Sequence, residues 1–313
     1  MATPGTDLFS RIDALVGEAW TLAALASAVS AERSGAGLSE EHGALLGAAG
    51  FAERTASGWR LRDEYRAALR ARPDAGALPG RTARLLRLAA DAAEGAVEEP
   101  ADGDEVLLAE GRASGERVSG LLDLAARHDP GLADLLLRPG AVLLDVGTGV
   151  GGVAAALVER VPGGRAVGLD TDPRMLRLAE RHLAERGVRD RVEPRLQDVA
   201  DLIEEDAYDL VWLPLAVLSP EAAAAALPRV AAALRPGGRL IAATALRSAP
   251  QLAPEDTGPR AVRDAVLRWR MSRRNVTPWP PEELAERLTA AGLRSAREIP
   301  TPDRSVAVVL AAA

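Results

Sequence analysis

The chain has 313 residues, 48% of them hydrophobic, and its 38 basic and 45 acidic side chains leave a net charge of −7. It contains no cysteine, which excludes disulfides and thiolate metal sites, and its three histidines, His42, His128 and His182, lie too far apart in sequence to favour a histidine-rich metal centre. Every basic residue is arginine, and the acidic balance argues against broad nucleic-acid binding while leaving room for a local basic patch. At roughly 150 residues per domain the length favours two domains. No uninterrupted apolar run reaches the ~18 residues of a membrane span, and the start "MATPGTDLFSRIDALV" lacks the layout of a secretory signal. Cytoplasmic residence and no membrane partner are therefore expected.

Near the amino terminus, Leu8, Ile12, Leu15 and Val16 fall at helical spacing, "TLAALASAVS" predicts a second helix begun by Thr21, and "SEEHGALLGAAGF" predicts a third capped by Ser39. Two short extended runs around Ala56, Ser57 and Gly58 predict a β-hairpin. Helices followed by a hairpin resemble a winged helix, in which Arg54, Arg60, Arg62 and Arg66 would be placed to touch phosphates. The third helix carries Glu40 and Glu41 and no arginine, so it suits a phosphate-lined groove poorly. Residues 73–104 hold Pro73, Pro79, Pro100 and the acidic stretch "EGAVEEPADGDE" around the helical "RTARLLRLAADAAE", and read as a connector. The predicted division is 1–104 for the amino-terminal domain with its connector and 105–313 for the second domain, which opens with the helix "SGERVSGLLDLAARH".

From residue 141 onward strands and helices alternate. "AVLLDVG", "GRAVGLD", "DRVEPRLQD", "YDLVWLPLAVL" and "RLIAATAL" read as strands. Between them "VGGVAAALVERV", "DPRMLRLAERHLAERG", begun by Pro173, and "SPEAAAAALPRVAAALRPGG", stopped by Pro236 and its glycines, read as helices. Such alternation predicts a parallel sheet in right-handed crossovers, with ligands at the carboxyl ends of its strands. After the helix "PEELAERLTAAGL", the segments "AREIP" and "SVAVVLAAA" are separated only by "TPDR", too short for a parallel crossover, so the last strand must run antiparallel to a neighbour.

The stretch "LLDVGTGVGG" joins the first of these strands to its helix. Gly147, Gly149 and Gly152 satisfy G-x-G-x-x-G, and Asp170 ends the next strand, which by themselves fit a dinucleotide as well as other nucleotides. Asp145 before the glycines, Asp198 ending the third strand, "ALRPGGRL" before the fifth and the closing hairpin discriminate further. Together they resemble the class I S-adenosylmethionine (SAM) methyltransferases over residues 140–313, of the small-molecule O-methyltransferase type with an amino-terminal winged-helix-like dimerisation domain. The resemblance implies a Rossmann-like α/β sheet of seven strands with an antiparallel last strand, a mostly helical amino-terminal domain and a homodimer. It also implies SAM as cofactor, with S-adenosylhomocysteine as product. Asp145, Gly147, Thr148, Gly149 and Gly151 match the family's first motif, Asp170 its ribose-binding acid, with Thr171 beside it a further cofactor candidate, and Met175 the position that packs on adenine. Gln197, Asp198 and Val199 match the segment that meets the adenine edge, and Trp212 and Leu213 the fourth motif, with Trp212 also a candidate acceptor contact. Arg112 is a candidate partner of the cofactor carboxylate.

Where the family's small-molecule O-methyltransferases carry a His-Asp pair after the fourth strand, this chain reads "LPLAVLSPEAAAA" and has neither. A base from elsewhere, with His128 the candidate, an acceptor that needs no strong base, or a changed reaction would each account for that. His182, inside a predicted helix, reads as a surface or structural residue. The segment "RSAPQLAPEDTGPRAVRDAVLRWRMSRRNVTPWPP" is a candidate lid, with Trp269, Met271 and Trp279 as apolar surfaces and Arg263, Arg268, Arg270, Arg273 and Arg274 as candidate clamps on an acidic acceptor. The expected activity is methyl transfer to a small natural-product acceptor, to oxygen by default. The alternatives are a C- or N-methyltransferase, a SAM-fold enzyme catalysing a non-methyl step such as cyclisation, and a winged-helix regulator that senses SAM.

Overall fold

A computed structural model describes residues 7–71, 73–96, 103–245, 258–276, 279–301 and 306–313. The chain forms two compact units, Met1–Glu110 and Gly111–Ala313, the division falling inside one long helix, α5 (Asp104–His128).

The first unit begins with α1 (Leu8–Ser34), one helix of 27 residues where the sequence pattern predicts two. Thr21 does not cap a new helix because its hydroxyl donates to the Gly17 carbonyl 2.9 Å away, a back-bond that lets a threonine remain inside a continuous helix. Asp7 caps its start and Gly35, at φ +71°, its end. By length and composition alone α1 is able to cross a membrane, a property the two shorter predicted helices lack. Residues 8–20, its first three and a half turns, are exposed on every side, including Leu8, Phe9, Ile12, Leu15, Val16 and Trp20.

Ser39 caps α2 (Glu40–Ala48) as expected, and the hairpin follows as β1 (Ala52–Thr55) and β2 (Gly58–Leu61). Gly43 and Gly47 lie against the Trp59 ring, where any Cβ would collide, so these two glycines let the hairpin close on α2. Leu46, Leu61, Ala28 and Ala52 form the unit's small core. Two further helices, α3 (Asp63–Arg70) and α4 (Leu78–Ala93), complete the unit.

In the second unit a sheet of seven strands has the order β5-β4-β3-β6-β7-β9-β8, made of β3 (Val142–Val146), β4 (Arg165–Asp170), β5 (Val192–Leu196), β6 (Tyr208–Pro214), β7 (Leu234–Thr244), β8 (Arg294–Ile299) and β9 (Ala307–Ala312). β9 runs antiparallel to both β7 and β8, as the short "TPDR" connection requires. Side chains alternate across the pleat: Leu143, Leu210 and Trp212 enter one core, Leu144, Val211 and Leu213 the other. The first core packs on α5, α6 (Pro130–Leu137), α7 (Gly152–Arg160) and α8 (Pro173–Glu185). The second packs on α9 (Pro220–Ala233) and α11 (Pro281–Ala290), while α10 (Pro259–Arg273) lies between β7 and α11 in the chain. Helix α9 ends at Ala233, earlier than its proline and glycines indicate. A residue before proline is pushed to extended backbone, so Arg235 cannot be helical ahead of Pro236, and β7 begins at Leu234 instead.

Candidate functional site

The reversal of strand order at β3 puts a crevice at the carboxyl ends of β3, β4 and β6, where ligands of parallel sheets bind. A cavity of about 430 Å³ lies there. Gly147 and Gly149 form one wall, Asp170, Thr171, Asp172 and Met175 the second, Gln197, Asp198 and Val199 the third, and Val217, Leu218, Ser219 and Ala222 the last.

The glycine turn has its shape because Gly147, Gly149 and Gly151 sit at φ +65°, +56° and +74°, a region L side chains rarely adopt. Where a Cβ of Gly149 would stand nothing lies within 4 Å, so this backbone faces open cavity. The turn is tied to its surroundings by its amides: Thr148 N–H donates to the Leu169 carbonyl at 2.8 Å and Gly149 N–H to Asp170 Oδ2 at 2.8 Å. The other oxygen of Asp170 accepts from Asp172 N–H at 2.9 Å. Each carboxylate oxygen is thereby oriented by one backbone donor and keeps lone-pair capacity for a second, which suits it to hold two neighbouring hydroxyls.

Asp198 accepts from Ala200 N–H at 2.9 Å, capping the short 3₁₀ turn Val199–Asp201, and lines the cavity as well. Asp145 is placed differently. It is buried behind the turn, accepting the Thr148 hydroxyl at 2.7 Å and the Ala154 N–H. Burial, reinforced by the charge of Asp170, pushes its carboxyl up to about 7 despite those donors. Asp145 and Thr148 thus shape the turn from behind.

The structure gathers eight of the predicted cofactor residues around one cavity: Gly147, Gly149, Thr171, Asp170, Met175, Gln197, Asp198 and Val199. Gly151 instead caps α7 against Leu183, and Leu213 is fully buried in the second core. Arg112 lies outside the lining, with its guanidinium 3.3 Å from Glu185 on α8. The stretch after β6, which lacks the family's His-Asp pair, lines the cavity with Val217, Leu218, Ser219 and Ala222, and the apolar members of that wall carry no polar signature in the sequence.

Among the candidate acceptor residues, Trp212 is buried in the first core because it alternates inward on β6. Trp279 is buried in the second, with the Arg287 guanidinium 4.1 Å from its ring centroid and its carbonyl accepting the Thr244 hydroxyl at 2.7 Å. Trp269 is exposed, with Arg273 over its ring, and Arg270 is half-buried on the same helix. Residues 246–257 and 277–278 of the candidate lid lie outside the described residues.

His128 is not at the cavity. It ends α5, its carbonyl accepts from Arg297, and its neighbour Asp129 bonds Arg239, which pairs with Leu210 near the start of β6, on the amino side of the sheet and so at the opposite end from Asp170. No base can come from it.

Residues 143–238 match the family model described as a methyltransferase domain. This segment is a methyltransferase domain. It spans the glycine turn, Asp170, Asp198 and the Val217–Ala222 wall, and S-adenosylmethionine is the methyl donor it implies. The cavity fits that donor: a carboxylate with two oriented oxygens for ribose hydroxyls, a side-chain-free backbone at Gly149, and Met175 and Val199 as apolar surfaces for a flat base.

A nocamycin O-methyltransferase of Saccharothrix syringae is 43% identical over 106 residues, 33% of this chain and 37% of the relative. A ribosomal protein L11 methyltransferase of Pelotomaculum thermopropionicum is 35% identical over 136 residues, 38% of this chain and 42% of the relative. The chain thus spans about two fifths of the curated relatives it matches. In fold it is similar to the S-adenosylmethionine-dependent methyltransferase SibL, with a TM-score of 0.63 at 20% identity over 97% of this chain and 99% of that one. The names of these two relatives state different acceptors.

Proposed function

We propose that this chain is a SAM-dependent methyltransferase acting on a small natural-product acceptor, with oxygen as the default methylated atom. The observation that carries the reading is the single cavity at the strand ends of a methyltransferase domain, where Gly149, Asp170, Met175 and Asp198 meet. The nocamycin O-methyltransferase likeness supports a small-molecule acceptor. In such a site the chain's own work is to hold donor and acceptor in line, since proximity and orientation supply most of the acceleration of a displacement.

The wall after β6 is Val217, Leu218, Ser219 and Ala222, with neither histidine nor aspartate in "LPLAVLSPEA". This composition favours an acceptor that ionises easily or a nucleophilic carbon or nitrogen over an unactivated alcohol. A non-methyl step such as cyclisation is the second reading, supported by the same composition. Incubation with SAM carrying an isotopically labelled methyl group, followed by mass spectrometry of phenolic and enolic acceptors, separates the two. Label appearing in no acceptor while an acceptor is converted would replace the first reading with the second.

The first unit is proposed to be winged-helix-like and to join two copies into a cytoplasmic homodimer. The apolar side chains exposed along α1 support this, since each contributes about 1.5–3 kcal/mol when buried. Arginines of its hairpin and of α3 are engaged within the unit: Arg54 with Glu40 at 2.5 Å, Arg60 with Glu53 at 2.8 Å and Arg66 with Glu32 at 2.6 Å. Arginines neutralised in this way are poor phosphate ligands, which counts against a DNA-binding regulator.

A further inference from the structure

Behind the glycine turn, on the side away from the cavity, stands His182. It lies on α8, is fully buried, and its Nδ1 is 2.8 Å from the carbonyl oxygen of Val150. A carbonyl only accepts, so Nδ1 carries the proton and Nε2 is left as a bare lone pair. That Nε2 is buried without a partner. Burial also holds the ring's pKa below the ordinary histidine range, and Arg112 and Arg186 nearby act in the same direction against Glu185. The neutral Nδ1–H tautomer is the one this environment selects.

The bond matters because of where Val150 sits. It lies between Gly149 and Gly151, both at positive φ, just before α7 begins. In a continuing helix its carbonyl would accept from Ala154 N–H, but that amide serves the carboxyl of Asp145. The Val150 carbonyl is thus left for His182 alone to satisfy among the described contacts. The Val150–Gly151 peptide is held at both ends, its carbonyl by His182 and its N–H by the Thr148 carbonyl at 2.9 Å, which closes the turn around Gly149; with the His182 bond lost, Gly151, at positive φ, lets the peptide rotate, and the turn that aims the Gly149 N–H at Asp170 loosens.

We infer that His182 is a positioning residue for the cofactor site: its Nδ1–H holds the Val150 peptide and thereby fixes the Gly149 backbone and the Asp170 carboxylate in the shape that receives SAM. The inference rests on the proposed SAM-binding role of the cavity. A surplus buried lone pair at Nε2 is the cost of using a histidine in this place, where a short side chain with a single donor would satisfy the contact.

The test is S-adenosylhomocysteine binding by isothermal titration to the full chain, together with thermal unfolding of the cofactor-free protein. Leucine keeps much of the bulk and lacks the donor; asparagine carries its amide nitrogen as many bonds from Cβ as Nδ1 is. His182→Leu is expected to weaken binding at least tenfold and His182→Asn to stay within threefold of the parent. A purely packing role predicts the reverse, a lowered melting temperature with unchanged affinity in His182→Leu, and that result overturns the inference, as does equal weakening in both variants. Should His182→Leu fail to fold, His182→Gln replaces it, because its amide reaches the Nε2 position and misses the Val150 carbonyl; equal affinity of the Gln and Asn variants would then overturn it. Absence of binding by the parent chain would instead defeat the proposed function.

Discussion

Asp145 sets up a pH dependence that a neutral isostere removes. Burial in the folded protein pushes its carboxyl up to about 7, from about 3.9 for an exposed aspartate. Below pH 4 it is protonated in both folded and unfolded chains and contributes nothing to pH dependence. As pH rises from 4 to 7 the unfolded chain releases this proton while the folded chain keeps it, so stability is lost across that window and levels off above it. A shift of this size corresponds to roughly 4 kcal/mol at about 1.4 kcal/mol per pH unit, an upper bound because structure and water relax around a buried charge. Asp145→Asn keeps an oxygen for the Thr148 hydroxyl and has no proton to lose. The measurement is urea unfolding of parent and variant without cofactor at pH 4 to 8, followed by the emission of the buried Trp212 and Trp279. The variant should gain about 2–4 kcal/mol relative to the parent between pH 4 and 7 and nothing further above pH 7.5. A difference that stays flat from pH 4 to 8 would refute the buried, proton-retaining Asp145.

Asp170→Ala removes the acceptor of Gly149 N–H and Asp172 N–H along with the cavity's carboxylate, and titration should show S-adenosylhomocysteine binding weakened about 100-fold or more, with two charge-assisted bonds lost at about 1.5–3 kcal/mol each. Gly152→Ala places a Cβ 2.0 Å from the Gly111 carbonyl oxygen, a backbone atom that cannot step aside, and should lower stability in chemical denaturation by about 1–3 kcal/mol. Replacing Ile12 and Leu15 of α1 together by glutamate should convert a dimer to a monomer in sedimentation, leaving the far-UV spectrum helical; a chain that is monomeric before substitution contradicts the dimer.

The residues that make polar bonds to nearby backbone were legible from the sequence. Asp170 and Asp198 end strands whose buried, alternating pattern is plain, and the side of a parallel sheet that binds ligands follows from topology. Val217, Leu218 and Ala222 were not, because an apolar wall and an apolar core have the same composition and only the path of the chain after β6 separates them. Trp212 failed as a site residue for the same reason in reverse: it lies on the sheet face opposite Leu213 and is spent on packing. His128 was open to correction from connectivity alone, since α5 and α6 must deliver the chain to the amino end of β3. The single helix α1 escaped because a threonine's hydroxyl can cap a helix start or back-bond within a helix, and the choice rests on context beyond its neighbours.

The cavity bounded by Gly149, Asp170 and Asp198 is proposed to hold SAM, and isothermal titration of the full chain with S-adenosylhomocysteine and with NAD decides it. Saturable, single-site binding of S-adenosylhomocysteine with no heat from NAD is the predicted result. Tight binding of NAD with none of S-adenosylhomocysteine would contradict it.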